Sequence, residues 1–173
     1  MRKEINVWDY AKQITENVGK GILLTTQAEG KPNTMTIGWG TLGVQWGKPI
    51  FIVFVRESRY TKQLLEKNGQ FTINVPMGEF DKNILSVCGT KSGRDLDKFQ
   101  ALGLTAVPGQ TVDVPAIKEL PLTLECKVIY KQDQDPAAID PECDKRYYAK
   151  GTANENDYHT AYYGEITAAY IVE

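Results

Sequence analysis

Short extended segments, bounded by glycine, proline or polar turns, run through most of this chain and leave little room for long helices. The six clearest occupy residues 21–27, 33–40, 50–55, 71–76, 122–130 and 162–172. Most of them alternate between polar and apolar residues, a pattern typical of strands with one buried face. Residues 50–55 are apolar on both faces, so this segment is predicted to be a central strand.

Helical patterns are fewer, shorter and gathered largely in the middle of the chain. They predict helices over residues 8–18, 59–67, 80–88 and 96–102. Ser58 and Ser92 are the predicted N-terminal caps of the second and fourth helices, and Gly103 is predicted to end the fourth. Because these helices do not alternate regularly with the strands, a doubly wound parallel sheet is disfavoured. The sequence therefore predicts a mainly β (α+β) fold, an antiparallel barrel with a few peripheral helices.

The charge balance and the hydrophobic runs argue against two classes of partner. With 20 Lys and Arg against 22 Asp and Glu, the chain has no general attraction to phosphate backbones, so nucleic acid is not an expected partner. No apolar run approaches the ~20 residues needed to cross a bilayer, and the N-terminal segment lacks the apolar core of a signal peptide. We therefore expect a cytoplasmic protein without membrane contact, folded as one domain over residues 1–173.

Few residues are available for metal binding or covalent catalysis. The only histidine is His159, and the three cysteines form no CxxC pair, so we expect neither a zinc site nor a disulfide framework. GxGxxG, P-loop, HExxH and GxSxG motifs are all missing. If the chain is an enzyme, the sequence favours one that relies on a bound cofactor for its chemistry.

Two segments combine positive charge, hydroxyl groups and a predicted helix start. Residues 55–61 hold Arg56, Ser58, Arg59 and Thr61, and residues 88–99 hold Lys91, Ser92 and Arg94. The free backbone N–H groups of a helix start and the forked donors of arginine both suit a phosphate group. The same residues also fit two ordinary capped helix starts, so the residues alone leave an anion site and a structural role open.

A second set of residues has equally ordinary interpretations. A lone histidine such as His159 is more often a hydrogen-bonded structural residue than a catalyst. Trp39 and Tyr163 are more typical of a core or an interface than of a cofactor site, and Asn74 on a strand can simply be solvated. The polar stretch over residues 132–158 is longer than most structureless loops, which favours a functional or disordered segment over a domain boundary.

Taken in order, these segments resemble the flavin reductase-like, FMN-binding split-barrel family, in particular its flavoredoxin-type branch. The likeness rests on residues 33–40, 46–49, 55–61, 71–76, 92–99, His159 and 163–166. It covers roughly residues 18–171, which is nearly the whole chain. The resemblance implies a six-stranded antiparallel split β-barrel that forms a homodimer, with non-covalent FMN near the subunit interface.

The resemblance also assigns roles to individual residues. It places a first group beside the flavin ring: Asn33, Met35, Thr36, Ile37, Gly38 and Trp39. It places a second group around the phosphate: Arg56, Ser58, Arg59, Thr61, Lys91, Ser92 and Arg94. Asn74 and Tyr163 complete the expected FMN contacts, and His159 is the candidate catalytic residue near the flavin or a nicotinamide. Trp39 stands where other members carry small serines, so it either narrows access to the ring or stacks on it.

The function implied is that of an FMN-dependent oxidoreductase or a flavoredoxin-type electron-transfer protein. Electrons would come from NAD(P)H or from a redox partner protein. One alternative is an NAD(P)H:flavin reductase that uses free FMN or FAD as a substrate. Another is a non-enzymatic split barrel that binds flavin, or binds haem through His159.

Overall fold

Ten strands carry the fold, and the computed structural model describes all residues from Met1 to Glu173. The strands are β1 (Arg2–Glu4), β2 (Ile22–Ala28), β3 (Lys31–Ile37), β4 (Gly40–Gln45), β5 (Lys48–Arg56), β6 (Gln70–Val75), β7 (Ala106–Val107), β8 (Ala116–Ile117), β9 (Leu122–Asp133) and β10 (His159–Val172). The α-helices are α1 (Ala11–Val18), α2 (Tyr60–Asn68), α3 (Asn83–Thr90), α4 (Lys98–Leu102) and α5 (Pro141–Tyr147). No helix has the length and apolar character that a membrane span requires.

One antiparallel sheet contains eight of the strands. Seven follow the order β3-β2-β6-β9-β10-β5-β4, and β1 pairs with the far end of β10. The sheet does not close, because β3 and β4 remain as its two edges. This arrangement confirms the mainly β, antiparallel split-barrel fold. It exceeds the six expected strands, since β4 and β1 also join the sheet.

The apolar segment 50–55 forms most of β5, which lies between β10 and β4 as expected for a central strand. Phe51, Val53 and Val55 are fully buried and belong to the main core inside the barrel. Phe54 points to the other face and is only partly covered. The strand therefore supplies the barrel core on one face and a pocket wall on the other.

A second, smaller core covers the outer face of β2. There Leu23 packs with Ile84 and Cys88 of α3 and with Ile117 and Leu120. Each fully buried side chain of this kind contributes about 1.5–3 kcal/mol. Because Ile22 and Leu24 face the main core, β2 is buried on both sides and ties α3 to the barrel.

Two predicted helix caps are wrong. The N-terminal cap of α2 is Arg59 and that of α4 is Asp97, whose side chain accepts a hydrogen bond from the backbone N–H of Gln100. Ser58 is instead bound to another segment, and the Ser92 hydroxyl accepts a hydrogen bond from the Arg94 backbone within its own turn. Both serines belong to turns that precede their helices, which short capping patterns do not distinguish from the caps themselves.

The segment between β9 and β10, residues 134–158, is ordered and is called the β9–β10 loop below. It contains a short 3-10 helix, Pro136–Ala138, followed by α5. Asp140 caps α5 through hydrogen bonds from the next turn, Pro141 occupies its first position, and its last turn carries Lys145 and Arg146. These are the residue types that helix ends favour. The loop therefore has secondary structure of its own outside the sheet.

Candidate functional site

Two adjoining pockets lie along strand β3, one of the two edges of the sheet. The strand pocket is lined by Met35, Thr36, Ile37, Gly38, Trp39, Phe54, Arg56, Arg59, Asn154 and His159. The cationic pocket is lined by Asn33, Met35, Ser58, Arg59, Tyr60, Thr61, Cys88, Lys91, Ser92, Gly93, Arg94 and Lys98. Because Met35 and Arg59 line both, the two pockets form one continuous site.

The strand pocket lies between edge strand β3 and the opposite half of the barrel. Met35, Thr36 and Ile37 form one wall, while Phe54 and His159 come from β5 and β10. Strand β3 pairs with β2 on one side only. Backbone N–H and C=O groups on the other side of an edge strand are available to a ligand. A flat polar ligand that reaches this wall can thus be recognised by the backbone.

The cationic pocket carries four positive side chains and no carboxylate. Arg59, Lys91, Arg94 and Lys98 all line it, and no Asp or Glu does. None of the four takes part in an ion pair elsewhere in the chain. Uncompensated positive charge beside the start of α2 favours an anionic ligand, and phosphate in particular.

Arg59 contributes an unsatisfied donor to this site. Its Nε atom is buried and has no hydrogen-bond partner. Burial and the neighbouring charge of Arg56 lower the pKa of Arg59, although an arginine stays protonated in proteins. Since a buried donor without a partner costs about 1–3 kcal/mol, an anion that accepts this hydrogen bond would relieve that cost.

Lys98 is a buried cation that sequence reasoning missed. Only 4% of it is exposed, and its Nζ donates to the backbone oxygens of Thr34, at 2.8 Å, and Cys88, at 3.1 Å. Burial lowers its pKa, so it too would gain from a bound anion. Lys98 lies inside a segment that the sequence singled out, but lysine is among the residue types most often exposed, and nothing in the pattern marks it as buried.

The Cys88 thiol lines the same pocket without being reactive. Burial raises its pKa to about 11, against the opposing charge of Lys98. The thiol is therefore protonated at neutral pH and is not a nucleophile.

Asn33, Thr61 and Gly93 shape the floor of the cationic pocket. The Nδ2 of Asn33 donates to the Thr61 hydroxyl at 2.9 Å, and both residues are buried. The turn around Gly93 approaches so closely that a Cβ there would lie 2.1 Å from Oδ1 of Asn33 and 2.9 Å from the Tyr60 ring. Only a glycine allows the Ser92–Arg94 turn to pack against β3 in this way.

Arg56 and Ser58 line the pockets but are already bound to the β9–β10 loop. Asp157 accepts hydrogen bonds from the backbone N–H of Ser58, at 3.0 Å, and from its hydroxyl. The Arg56 guanidinium lies 3.4 Å from the same carboxylate and donates to the Ala153 carbonyl. Both residues therefore hold the loop in place in this structure, and their expected contact with the phosphate stays a prediction.

His159 is nearly buried at the back of the strand pocket. Its Nδ1 lies 2.7 Å from the Tyr148 hydroxyl, and its ring is tilted against that of Trp39 at 4.8 Å between centroids. Burial, reinforced by the positive charge of Arg56, lowers the pKa of His159 to about 4. The imidazole is therefore neutral at physiological pH, and Trp39 packs beside it as part of the pocket wall.

Two expected FMN contacts lie outside both pockets of this chain. Asn74 is fully buried, and its Nδ2 donates to the Leu120 carbonyl, at 3.1 Å, and to the Thr123 hydroxyl, at 3.0 Å. It fastens the segment before β9 to the sheet and has a structural role. Tyr163 packs edge-on against Tyr130 with centroids 5.0 Å apart, on a part of β10 that neither pocket reaches.

Curated relatives match part of this chain. An uncharacterized protein of Archaeoglobus fulgidus is 37% identical over 99 residues, which cover 57% of this chain and 55% of that protein. The uncharacterized protein YddH of Escherichia coli is 32% identical over 116 residues, covering 65% of this chain and 60% of YddH. The chain thus aligns with little more than half the length of these relatives.

Solved structures of two flavoredoxins are similar to most of this chain. That of Desulfovibrio vulgaris (Miyazaki F) is 28% identical with a TM-score of 0.65, over 88% of this chain and 69% of that chain. That of Methanosarcina acetivorans is 29% identical with a TM-score of 0.66, over 88% and 68%. An FMN-binding domain of a flavin reductase-like enzyme from Shewanella baltica shares the fold, with a TM-score of 0.68, 16% identity and coverage of 99% and 77%.

The model of the flavin reductase like domain matches residues 18–173, a range that contains every residue lining the two pockets. This chain therefore belongs to the flavin reductase like domain family.

Proposed function

We propose that this protein is an FMN-binding oxidoreductase of the flavoredoxin type, which binds the flavin ring in the strand pocket and the phosphate in the cationic pocket. One observation carries the proposal: four cations without ion-pair partners line a pocket that adjoins the unpaired edge of strand β3. The family match and the likeness to two flavoredoxins support it.

The residues present fit this cofactor. Arg59, Lys91, Arg94 and Lys98 would hold the phosphate, with the buried Nε of Arg59 as a free donor. The edge of β3 would hydrogen-bond the polar side of the ring, with Thr36 held nearby by its bond to the Leu85 carbonyl at 2.6 Å. Bound FMN supplies the ability to accept and pass on electrons, which no side chain of this chain provides.

The residues that would surround the flavin ring support electron transfer more than acid–base chemistry. His159 is neutral, Cys88 is a protonated thiol, and neither pocket contains a carboxylate. Residues of this chain would therefore bind and orient the flavin and shield it from water. The electron donor in this proposal is NAD(P)H or a redox partner protein, and the acceptor is a further protein or small molecule.

The first test is whether flavin stays bound. We expect the purified protein to keep a yellow flavin absorption spectrum through extensive dialysis, or to regain it when FMN is added. Bleaching of that spectrum by NADH or NADPH would identify the donor as a nicotinamide, whereas retention without bleaching would favour a protein donor. A protein that loses all added FMN on dialysis would contradict a resident cofactor and favour flavin as a substrate.

Arg59→Ala tests the assignment of the phosphate. Loss of a charge-assisted hydrogen bond costs about 1.5–3 kcal/mol, so the Kd for FMN, measured by titration, should rise roughly ten- to hundredfold. Lys118→Ala is the matched control, because it removes one positive charge from an exposed residue that lines neither pocket. An equal change in both variants, or none in either, would show that the phosphate does not bind at Arg59.

A further inference from the structure

The orientation of one side-chain amide can be deduced from its partners. The backbone N–H of His159 lies 2.9 Å from Oε1 of Gln134, and the Tyr148 hydroxyl lies 3.0 Å from the same atom. A backbone N–H can only donate, so the atom that faces it is the carbonyl oxygen of the amide. That oxygen can only accept, and the Tyr148 hydroxyl must therefore donate its proton to Gln134.

The tautomer of His159 follows from this arrangement. A tyrosine hydroxyl has one proton, and the proton of Tyr148 is already given to Gln134. At 2.7 Å from Nδ1 of His159, the hydroxyl oxygen can then only accept, which requires a proton on Nδ1. A neutral imidazole protonated at Nδ1 carries a bare lone pair at Nε2.

The surroundings keep the imidazole neutral and leave Nε2 without a protein partner. Burial and the charges of Arg56 and Arg59 disfavour protonation, and only Asp157 favours it. The sole side-chain hydrogen bond of His159 is the one to Tyr148. The ring lines the strand pocket. Nε2 is therefore the side-chain atom of His159 that remains available for a hydrogen bond with a ligand.

We propose that Tyr148, held by Gln134, is a positioning residue that fixes His159 as the Nδ1–H tautomer, so that Nε2 presents a hydrogen-bond acceptor to a ligand in the strand pocket. The partner of Nε2 is then an N–H or O–H donor. A carboxylate or phosphate oxygen has no proton to give and is excluded at this position. The ligand part of this inference rests on the strand pocket being a binding site, as proposed above, whereas the tautomer part does not.

The tautomer can be measured directly because the chain contains one histidine. In a long-range ¹H–¹⁵N correlation spectrum of the untagged, flavin-free protein at neutral pH, the single imidazole should show one protonated and one unprotonated nitrogen. The coupling pattern to the ring protons should assign the proton to Nδ1. Assignment of the proton to Nε2, or an imidazolium spectrum, would overturn the proposal without any variant being made.

Tyr148→Phe tests whether Tyr148 sets the tautomer. The ring remains to fill its buried site, but Nδ1 loses its acceptor, so the spectrum should shift toward the Nε2–H form or a mixture. Tyr158→Phe is the matched control: Tyr158 stacks on Tyr148 at 4.6 Å, yet its hydroxyl bonds to Asp144 and not to His159. The control should keep the wild-type tautomer. An unchanged Nδ1–H form in Tyr148→Phe would show that Tyr148 does not position His159.

A pair of small probes tests the ligand class. Benzamide and benzoate have nearly the same shape, but only benzamide carries N–H donors and only benzoate is an anion. Titration with benzamide should shift the Nε2 resonance of wild-type protein, and benzoate should leave it in place. A shift with benzoate alone, or with neither probe, would overturn the ligand part. Failure of FMN to bind would remove the proposed function but leave the tautomer measurement intact.

Discussion

At the scale of the residue, His159 is a base that folding keeps uncharged. Its pKa falls from 6.5 to about 4 because of burial and the charge of Arg56, with a smaller contribution from Arg59 and an opposing one from Asp157. The unfolded chain therefore binds a proton between these two pH values while the folded protein does not. The folded state should lose stability as the pH falls from 6.5 to about 4.

His159→Gln tests this pH dependence. Wild-type protein should lose up to about 3 kcal/mol of unfolding free energy from this residue across that window, and the variant should lack this component. Denaturant unfolding at several pH values from 7 down to about 4 measures it, with the difference between the two proteins isolating His159 from the carboxylates. Parallel pH profiles would show that His159 titrates alike in the folded and unfolded states.

Single residues also show which parts of the site could be predicted from the sequence. Arg59, Lys91 and Arg94 were predicted from charge near a helix start, and all three line one pocket. Lys98 was missed because burial of a lysine depends on carbonyl partners from distant segments, Thr34 and Cys88. Partnerships across the fold are not visible in a local pattern.

At the scale of the element, the tight turn between α3 and α4 controls the shape of the cationic pocket. Gly93→Ala would place a Cβ 2.1 Å from Asn33 Oδ1, and Asn33 is held by its bond to Thr61. Overpacking of this kind costs about 1–3 kcal/mol. We expect the variant to unfold at lower denaturant concentration and to bind FMN more weakly.

Gly43→Ala on β4 provides the comparison for this turn. A Cβ at Gly43 meets no atom within 4 Å, so its stability should change by no more than about 0.5 kcal/mol and its FMN affinity not at all. If Gly93→Ala behaves like Gly43→Ala in both assays, the turn adapts freely and does not define the pocket.

The elements differ in how well the sequence predicted them. Strand β5 was predicted because a run apolar on both faces has few alternatives, and α1 and α4 end where the pattern indicated. Strand β4 was missed, since Gly40 and Gly43 weaken its strand signal. The sequence left open whether the β9–β10 loop is folded, because Asp157 anchors it to Arg56 and Ser58, residues about a hundred positions earlier.

At the scale of the whole molecule, an aromatic row on the sheet surface is the feature that suggests assembly. Trp46 is 61% and Tyr130 40% exposed, and Tyr130 contacts both Trp46 and Tyr163 edge-on. Trp46 has a φ of 52° in the β4–β5 turn, a conformation that is uncommon for a bulky residue and costs about 1–3 kcal/mol. We propose this aromatic surface as the contact with a second copy of this chain, in line with the expected homodimer.

Trp46→Asn separates assembly from folding. Asparagine tolerates the positive φ better than tryptophan, so the turn should remain stable while the aromatic contact is lost. We expect wild-type protein to be a homodimer by sedimentation and the variant to dissociate at concentrations where wild type does not. A monomeric wild type, or a variant that dimerises equally well, would exclude this surface as the interface.

The β9–β10 loop leaves and re-enters the sheet at one point, where the backbone N–H of Gln134 bonds to the carbonyl of His159 at 3.0 Å. Its length is therefore not set by the barrel, and lengthening a loop whose ends already meet costs little chain entropy. Changes in this loop that keep Gln134, Tyr148 and Asp157 can replace Asn154 in the strand pocket while Lys91, Arg94 and Lys98 stay unchanged in the cationic pocket. The loop can thus change the lining of the strand pocket independently of the cations that line the other pocket.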